Sequence, residues 1–316
     1  MEGNLNRLWL IPAAVTLALV SGPGFAQSAG NEGNRAAPNR DRLSSWTPAA
    51  MERARQVQLP TVSADTVAAA TRGGQRASRP ANPGSSPAKD LVSDRERSSG
   101  NVYEKPLYWA GKLFFRAGGE NYVCSAQFIS PTVLLTAAHC VRDAETGEWH
   151  DDLIFALQYK SGEYSQVYDY VCAATNKNWV QPGFEKYFYD FAVIKVDKPS
   201  KTGYFGTHWD WQGQYNDVTK IGYPGGVENG EVIQVEKGPI QMVEGVVQLK
   251  HGNPADQGGS SGGAWIGKFD SGNNNDANYI ISVESFGIDG QPGIDYGPYL
   301  NDDFKSLWDY GENGCQ

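Results

Sequence analysis

Three short segments carry side chains that could jointly perform one reaction. They are Thr136-Ala137-Ala138-His139-Cys140, Asp190-Phe191-Ala192-Val193-Ile194 and Gly258-Gly259-Ser260-Ser261-Gly262-Gly263. A serine hydroxyl is a weak nucleophile at neutral pH. It becomes effective when an imidazole removes its proton and a buried carboxylate holds that imidazole in the right tautomer. His139, Asp190 and Ser261 therefore form a candidate set of general base, orienting carboxylate and nucleophile. Taken singly, each has a plainer explanation: a structural histidine after an apolar run, a turn aspartate before a strand, a serine in a glycine turn. Their joint occurrence in this order makes coincidence a poor account. The order His, Asp, Ser also excludes an α/β-hydrolase esterase, which needs a Gly-x-Ser-x-Gly elbow and the order Ser, Asp, His.

The glycines around Ser261 have a task of their own. The backbone N–H groups of Gly259 and Ser261 are candidates for an oxyanion hole, where a substrate carbonyl develops negative charge. Aiming two amides at one spot needs backbone that a residue without Cβ adopts most easily.

These residues must be positioned by a fold, and the chain from residue 102 onward reads as all-β. Short apolar or alternating runs rich in Val, Ile, Tyr and Phe recur at 112–116, 122–129, 133–137, 153–159, 191–196, 218–222, 232–235, 240–249 and 279–286. Gly, Pro, Asn and Asp separate them, as in a β sandwich or barrel. One helix is expected over 299–310, where Leu300, Phe304, Leu307 and Trp308 fall on one face and Asn301 and Asp302 are candidate caps.

The region upstream has a different composition. Residues 1–26 read as a secretory signal: Arg7, an apolar run from Leu8 to Val20, then small residues Gly24 and Ala26. That run is short for a membrane anchor, which needs about 20 apolar residues. Residues 27–100 are rich in Ala, Ser, Arg, Gly, Pro and Asn and too poor in apolar side chains to fold alone. We expect a propeptide or disordered linker there, with a short helix over 48–58 admissible, and the enzyme domain over 101–316.

Residues 1–100 hold 12 Lys+Arg against 8 Asp+Glu, which leaves 15 against 28 for the remainder. So acidic a domain does not bind nucleic acid through its bulk field. The four cysteines, Cys124, Cys140, Cys172 and Cys315, follow a signal segment, so two disulfides are expected, in any of three pairings. No Cys-x-x-Cys or His-x-x-x-His spacing supports zinc. The Asn/Asp-rich stretch 270–278 lacks an EF-hand's spacing and closing Glu, and reads more simply as a hairpin tip. No metal or cofactor is expected.

The three segments, at these spacings, resemble the trypsin-like (chymotrypsin-fold) serine endopeptidases over about residues 105–310. Gly222-Tyr223-Pro224-Gly225 is similar to the bacterial glutamyl-endopeptidase-like branch. The resemblance implies two packed antiparallel six-stranded β-barrels, first about 105–200 and second about 215–300, with the site in the cleft between them. It implies the roles given above for His139, Asp190 and Ser261. Ser285-Phe286-Gly287 matches the family's Ser-aromatic-Gly strand, which implies that Ser285 bonds near the triad carboxylate and that the strand pairs with substrate backbone. Cys124 and Cys140 match the family disulfide that pins the histidine loop, which leaves Cys172 with Cys315.

Two departures matter. Ser260 stands where animal trypsin-like enzymes carry the Asp that pairs with a freed N-terminus, so that activation ion pair is not expected. Glu284 stands where glutamyl-specific enzymes carry a His, so strict preference for glutamate is not expected either. Along the family pattern, Asp256 and Glu284 fall on the pocket for the residue before the scissile bond, and two carboxylates there favour Arg or Lys. The expectation is a secreted or periplasmic, monomeric endopeptidase acting on proteins or peptides. It should bind neither nucleic acid nor, once the signal is removed, membrane. The rival from another class is a catalytically silent β-barrel binding module that kept the fold.

Overall fold

The computed structural model describes residues 30–37, 41–67, 97–253, 258–272 and 274–316. The expected signal segment 1–26 and Asp256 lie outside the described residues. Four short strands come from the N-terminal region: β1 (Asn31–Arg35), β2 (Arg55–Gln56), β3 (Thr61–Val62) and β4 (Arg97–Ser99). The first half of the domain contributes β5 (Ala110–Ala117), β6 (Glu120–Phe128), β7 (Val133–Thr136), β8 (Asp151–Leu157), β9 (Gln166–Asn176) and β10 (Ala192–Val196). The second half contributes β11 (Gly206–Thr207), β12 (Asp217–Gly222), β13 (Gln234–Val243), β14 (Val246–Lys250), β15 (Ala264–Gly267), β16 (Tyr279–Val283), β17 (Phe286–Ile288) and β18 (Ile294–Pro298).

Strands β5 to β10 pair antiparallel in the ring β5-β6-β7-β10-β9-β8, closed by β8 on β5. Closure removes the free edges that an open sheet exposes. Leu113, Phe128, Leu134, Phe155, Tyr168 and Ile194 fill the interior. The second half forms the path β16-β15-β12-β13-β14-β18-β17. It departs from the expected second ring, because among the described residues its ladder is an open path. Side-chain and loop bonds draw the ends together: Ser282 Oγ–H donates to Pro298 O (2.8 Å) and Ser285 N–H to Tyr296 O (3.1 Å).

The run expected as one strand over 240–249 is a hairpin. Glu244 and Gly245 both have positive φ (48° and 90°), so a two-residue turn pairs Val243 with Val246; such turns match the twist of the flanking strands. The C-terminal helix spans Asp302–Glu312, because the Asn301 side chain accepts from the N–H groups of Asp303 and Phe304 and so fixes the start. Phe304 and Leu307 are buried, and Gly311 lies so close to Val193 that an added Cβ would sit 2.6 Å from its side chain.

The N-terminal region differs from the expected disordered linker wherever it is described. β1 adds antiparallel to β9, β2 parallel to β6, β3 parallel to β17 and β4 antiparallel to β13. Trp46 is 2% exposed; its ring packs on Phe114 and its Nε1–H donates to Asp152 O (2.8 Å). Arg42 bonds Asp169 Oδ1 at 2.6 Å. The reason is physical: this region is too polar to build a core of its own, but it borrows the edges and core of its neighbour. The helix admitted over 48–58 is the single turn and a half Pro48–Glu52, capped by Thr47.

Both disulfides form: Cys124–Cys140, spanning 16 residues, and Cys172–Cys315, spanning 143. The second ties β9 to the chain end beyond the helix. Converting Cys172 and Cys315 together to Ser should cost about 2–5 kcal/mol, the usual effect of losing a native disulfide. Denaturant titration of the double variant against wild type measures it.

Candidate active site

Asp190 is the most constrained charged residue in the cleft. It ends the 3-10 segment Phe184–Tyr189 just before β10 and is fully buried. Its carboxylate accepts three hydrogen bonds: from His139 N–H at Oδ1 (2.9 Å), from His139 Nδ1–H at Oδ2 (2.8 Å) and from Ser285 Oγ–H at Oδ2 (2.5 Å). A buried carboxylate is costly unless its oxygens are engaged in this way. The Nδ1 bond makes Nδ1 the protonated nitrogen and leaves Nε2 as the acceptor in the neutral ring. His139 lies in the 3-10 turn Ala138–Cys140 directly after β7, and Cys140 is pinned to Cys124 in β6.

Ser261 is fully buried. Its loop is moulded onto the first barrel by β6: Ser125 N–H donates to Ser261 O (2.8 Å), Ser125 Oγ–H to Gly259 O (2.8 Å) and Gln127 Nε2–H to Gly262 O (3.0 Å). Gly258, Gly259 and Gly262 have φ of 87°, 80° and 78°. At Gly262 an added Cβ would meet Thr136 Oγ1 at 2.1 Å and Ala137 N at 2.7 Å. The serine loop is thus pressed against the two residues that lead into His139, and a side chain there would push the two apart. Ser261 Oγ and His139 Nε2 are both buried with no hydrogen-bond partner among the described residues. A buried hydroxyl and a buried acceptor nitrogen left free beside one another's loops can exchange a proton with an entering substrate.

Of the residues assigned to substrate contact, Gly287 lines a cavity of about 350 Å³ together with Gly258, Asn253 and residues 290–295. Ser285 instead faces Asp190, and Phe286 stacks on Tyr296 (centroids 5.2 Å apart) within a buried apolar cluster. Glu284 is not on the cavity wall. It stands behind it, fully buried, accepting from Trp265 Nε1–H (3.0 Å) and 3.7 Å from Lys220 Nζ.

That back wall holds a charge cluster the sequence reading missed. Lys220 Nζ lies 2.6 Å from Asp295 Oδ2 and 3.0 Å from Glu236 Oε2, His251 Nε2 lies 2.7 Å from Asp295, and Arg97 Nε reaches Glu236. Asp295 also lines the cavity. Glu236, His251 and Asp295 are close enough for a metal site, but the Lys220 ammonium already sits between the two carboxylates as their cation. Burial pushes both carboxyl pKa values up, yet Lys220 and His251 pull them down further, and both end below the ordinary range. The one available signal was a lysine inside an apolar strand, flanked by Thr219 and Ile221.

A closed β-barrel joined to a second sheet, with a buried Asp–His pair and a glycine-rich serine loop at their junction, is the chymotrypsin-like peptidase fold. The chain belongs to the trypsin family, whose model matches residues 97–297. Its fold is similar to that of the protease Anisep from Arthrobacter nicotinovorans, at 24% identity over 70% of this chain and 100% of that one, TM-score 0.57. It is also similar to the thermostable serine protease AL20 from an extremophilic microorganism (21%, 65% and 97%, TM-score 0.54). A Glu endopeptidase in complex with MPD aligns at 19% over 71% and 99%, TM-score 0.57. No curated protein matches the chain.

The depressed Asp295 pKa fixes a sign. A carboxyl whose folded pKa lies below its unfolded value of about 3.9 stabilises the fold above that value and loses this contribution as pH falls toward the folded one. Asp295→Asn should therefore be less stable than wild type at pH 7, and the gap should narrow below about pH 4. Denaturation of both proteins at pH 7 and pH 3 checks it.

Proposed function

We propose that this trypsin-family peptidase is an exported serine endopeptidase that works through an acyl-enzyme. The observation that carries the reading is the His139 Nδ1–Asp190 Oδ2 bond of 2.8 Å, with Nε2 left available. Ser261 Oγ attacks the substrate carbonyl carbon while His139 Nε2 takes its proton. The carbonyl oxygen, now negative, is held by the N–H groups of Gly259 and Ser261. His139 then gives the proton to the leaving amine as the C–N bond breaks, and water repeats the sequence to release the acid. Asp190 stabilises the imidazolium without accepting its proton. A silent binding module has no need of a fully buried carboxylate with every oxygen committed to holding one imidazole.

Residues 1–26 direct export and residues 27–100 act as a pro-region, and the product works as a monomer. Two disulfides support an oxidising compartment; no described helix is long and apolar enough to cross a membrane. For the residue before the cut we propose Arg or Lys. Asp295 lines the cavity, and Glu236 and Glu284 are buried behind it beside Lys220, which supports an acidic base to the pocket. Asp256 would add to it.

Ser261→Ala and His139→Ala should each fold normally and lower peptide hydrolysis by several orders of magnitude, leaving about 10³-fold over water. Near-normal turnover in Ser261→Ala, purified free of other proteases, would falsify the assignment. For specificity, peptides differing only before the cut should favour Arg and Lys over Leu, Phe and Glu. That preference should drop at least about tenfold in kcat/KM for Asp256→Ala, the loss of one charge contact in a partly desolvated slot, and by less for Glu284→Gln, which acts from behind the cavity.

A further inference from the structure

Residues 55–62 cross the cleft from the first barrel to the second sheet. β2 lies parallel on β6 (Arg55 opposite Tyr122, Gln56 opposite Val123), and Val57 N–H donates to Val123 O at 3.2 Å. Val57 O then accepts from Gly259 N–H at 2.9 Å, the amide proposed above for the oxyanion. Gln56 Oε1 lies where a Cβ on Gly259 would sit, and its Nε2–H donates to Asn229 O (3.2 Å). Gln58, Leu59 and Thr61 line the cavity described above. Beyond it, Pro60 O accepts from Gly287 N–H (2.9 Å), Val62 O accepts from Asp289 N–H (3.0 Å), and β3 runs parallel to β17. Val62 is buried against Phe184, Phe286 and Tyr296. Upstream, Trp46, Met51 and Ala54 are locked into the main core.

The polarity of this segment is the informative feature. On the hydrolytic reading above, the residues before the scissile bond take the cavity and β17 side. The leaving amine lies on the side of β6, where the Cys124–Cys140 bond holds the His139 turn. Here the chain enters on β6 and leaves on β17. If the Val57 carbonyl were attacked, the leaving nitrogen, that of Gln58, would point to the cavity, away from the imidazole that must protonate it. General acid catalysis would fail, and the carbonyl would sit on the oxyanion amide as an uncut ligand.

We propose that residues 55–62 are a built-in inhibitor, a strand that fills the cleft in the direction opposite to substrate and is therefore not cleaved by the site it blocks. The inference rests on the hydrolytic reading above and adds the identity of the blocking segment. The cleft thus accepts extended peptide in two directions, one consumed and one inhibitory. Affinity in the second direction comes from main-chain bonds at Gly259, Gly287 and Asp289, with Leu59 and Val62 as apolar anchors.

The test uses the full-length chain, its integrity checked by intact mass. It compares wild type, Val62→Asp, Gln56→Ala and Val62→Asp/Ser261→Ala. The readouts are the rate of fluorophosphonate labelling and the hydrolysis of a fluorogenic peptide. Val62→Asp puts a charge against Phe286 and should release the strand; Gln56→Ala is a milder change at a partly exposed side chain. Either variant should label and turn over at least about tenfold faster than wild type, an increase that a 1.4 kcal/mol weakening of the strand would supply. The double variant should do neither, and bonds within 55–62 should stay intact in wild type. Two results overturn the inhibitor while leaving the hydrolase reading in place: equal, fast rates in wild type and both variants, or self-cleavage at Val57–Gln58. Absence of labelling and turnover in every variant, including chains from which residues 27–96 have been trimmed by limited proteolysis, overturns the hydrolase reading itself.

Discussion

The buried carboxylate of Asp190 organises the junction of the two halves. Two of its three donors come from the turn after β7 in the first barrel, and the third comes from Ser285 in the second sheet. Neither half could bury that charge alone. A fully desolvated carboxylate with one donor removed is expensive, on the order of several kcal/mol for a charged group. Docking of the halves and orientation of the imidazole are therefore one event, and any shift that separates the halves also spoils the site.

The serine loop depends on that docking from the other direction. Its three positive-φ glycines would not hold their shape unaided, since glycine is also the most freely varying residue in an unfolded chain. The shape comes from β6, whose Ser125 and Gln127 side chains and Ser125 backbone fasten the loop at residues 259, 261 and 262. A strand of the first barrel thus acts as the mould for a loop of the second. Ser125 does this twice over, since its Oγ also accepts from Tyr223 N–H (3.0 Å) and so anchors the Gly222–Gly225 bend.

What was legible in the sequence follows from which signals are local. His139, Asp190 and Ser261 sit in short contexts with strong residue demands, and the apolar runs of β5 to β8 announce themselves by alternation. Ser285 was singled out through its neighbours Phe286 and Gly287, and its Oγ–H donates to Asp190 Oδ2. The hairpin at Glu244–Gly245 was read as one strand because Glu is an unusual residue at positive φ, and only pairing with β18 settles the register. Strand β9 was missed: Gln166, Asp169 and Asn176 break its apolar pattern. The N-terminal region was misjudged for another reason. Composition reports whether a segment can fold alone, and it is silent on whether a neighbour offers an edge. Arg97 and Ser98 lie in β4, with Arg97 paired to buried Glu236.

That pairing bears on the charge cluster behind the cavity. Lys220 and Arg97 do not merely neutralise acids; Lys220, with His251, draws the Glu236 and Asp295 carboxyls below the ordinary range, and Arg97 adds to the pull on Glu236. Of these two cations, Lys220 comes from β12 and Arg97 from the N-terminal strand β4, which pairs with β13. If the chain were cut at Arg97–Ser98 and the pro-region left, Glu236 would lose its guanidinium while Lys220 and His251 stayed. The cluster would then be one charge more negative, and more of Lys220 would be drawn to Glu236 and away from Asp295, the carboxylate that lines the cavity. Loss of Arg97 would thereby alter the field at the cavity wall through a strand that does not itself line the cavity.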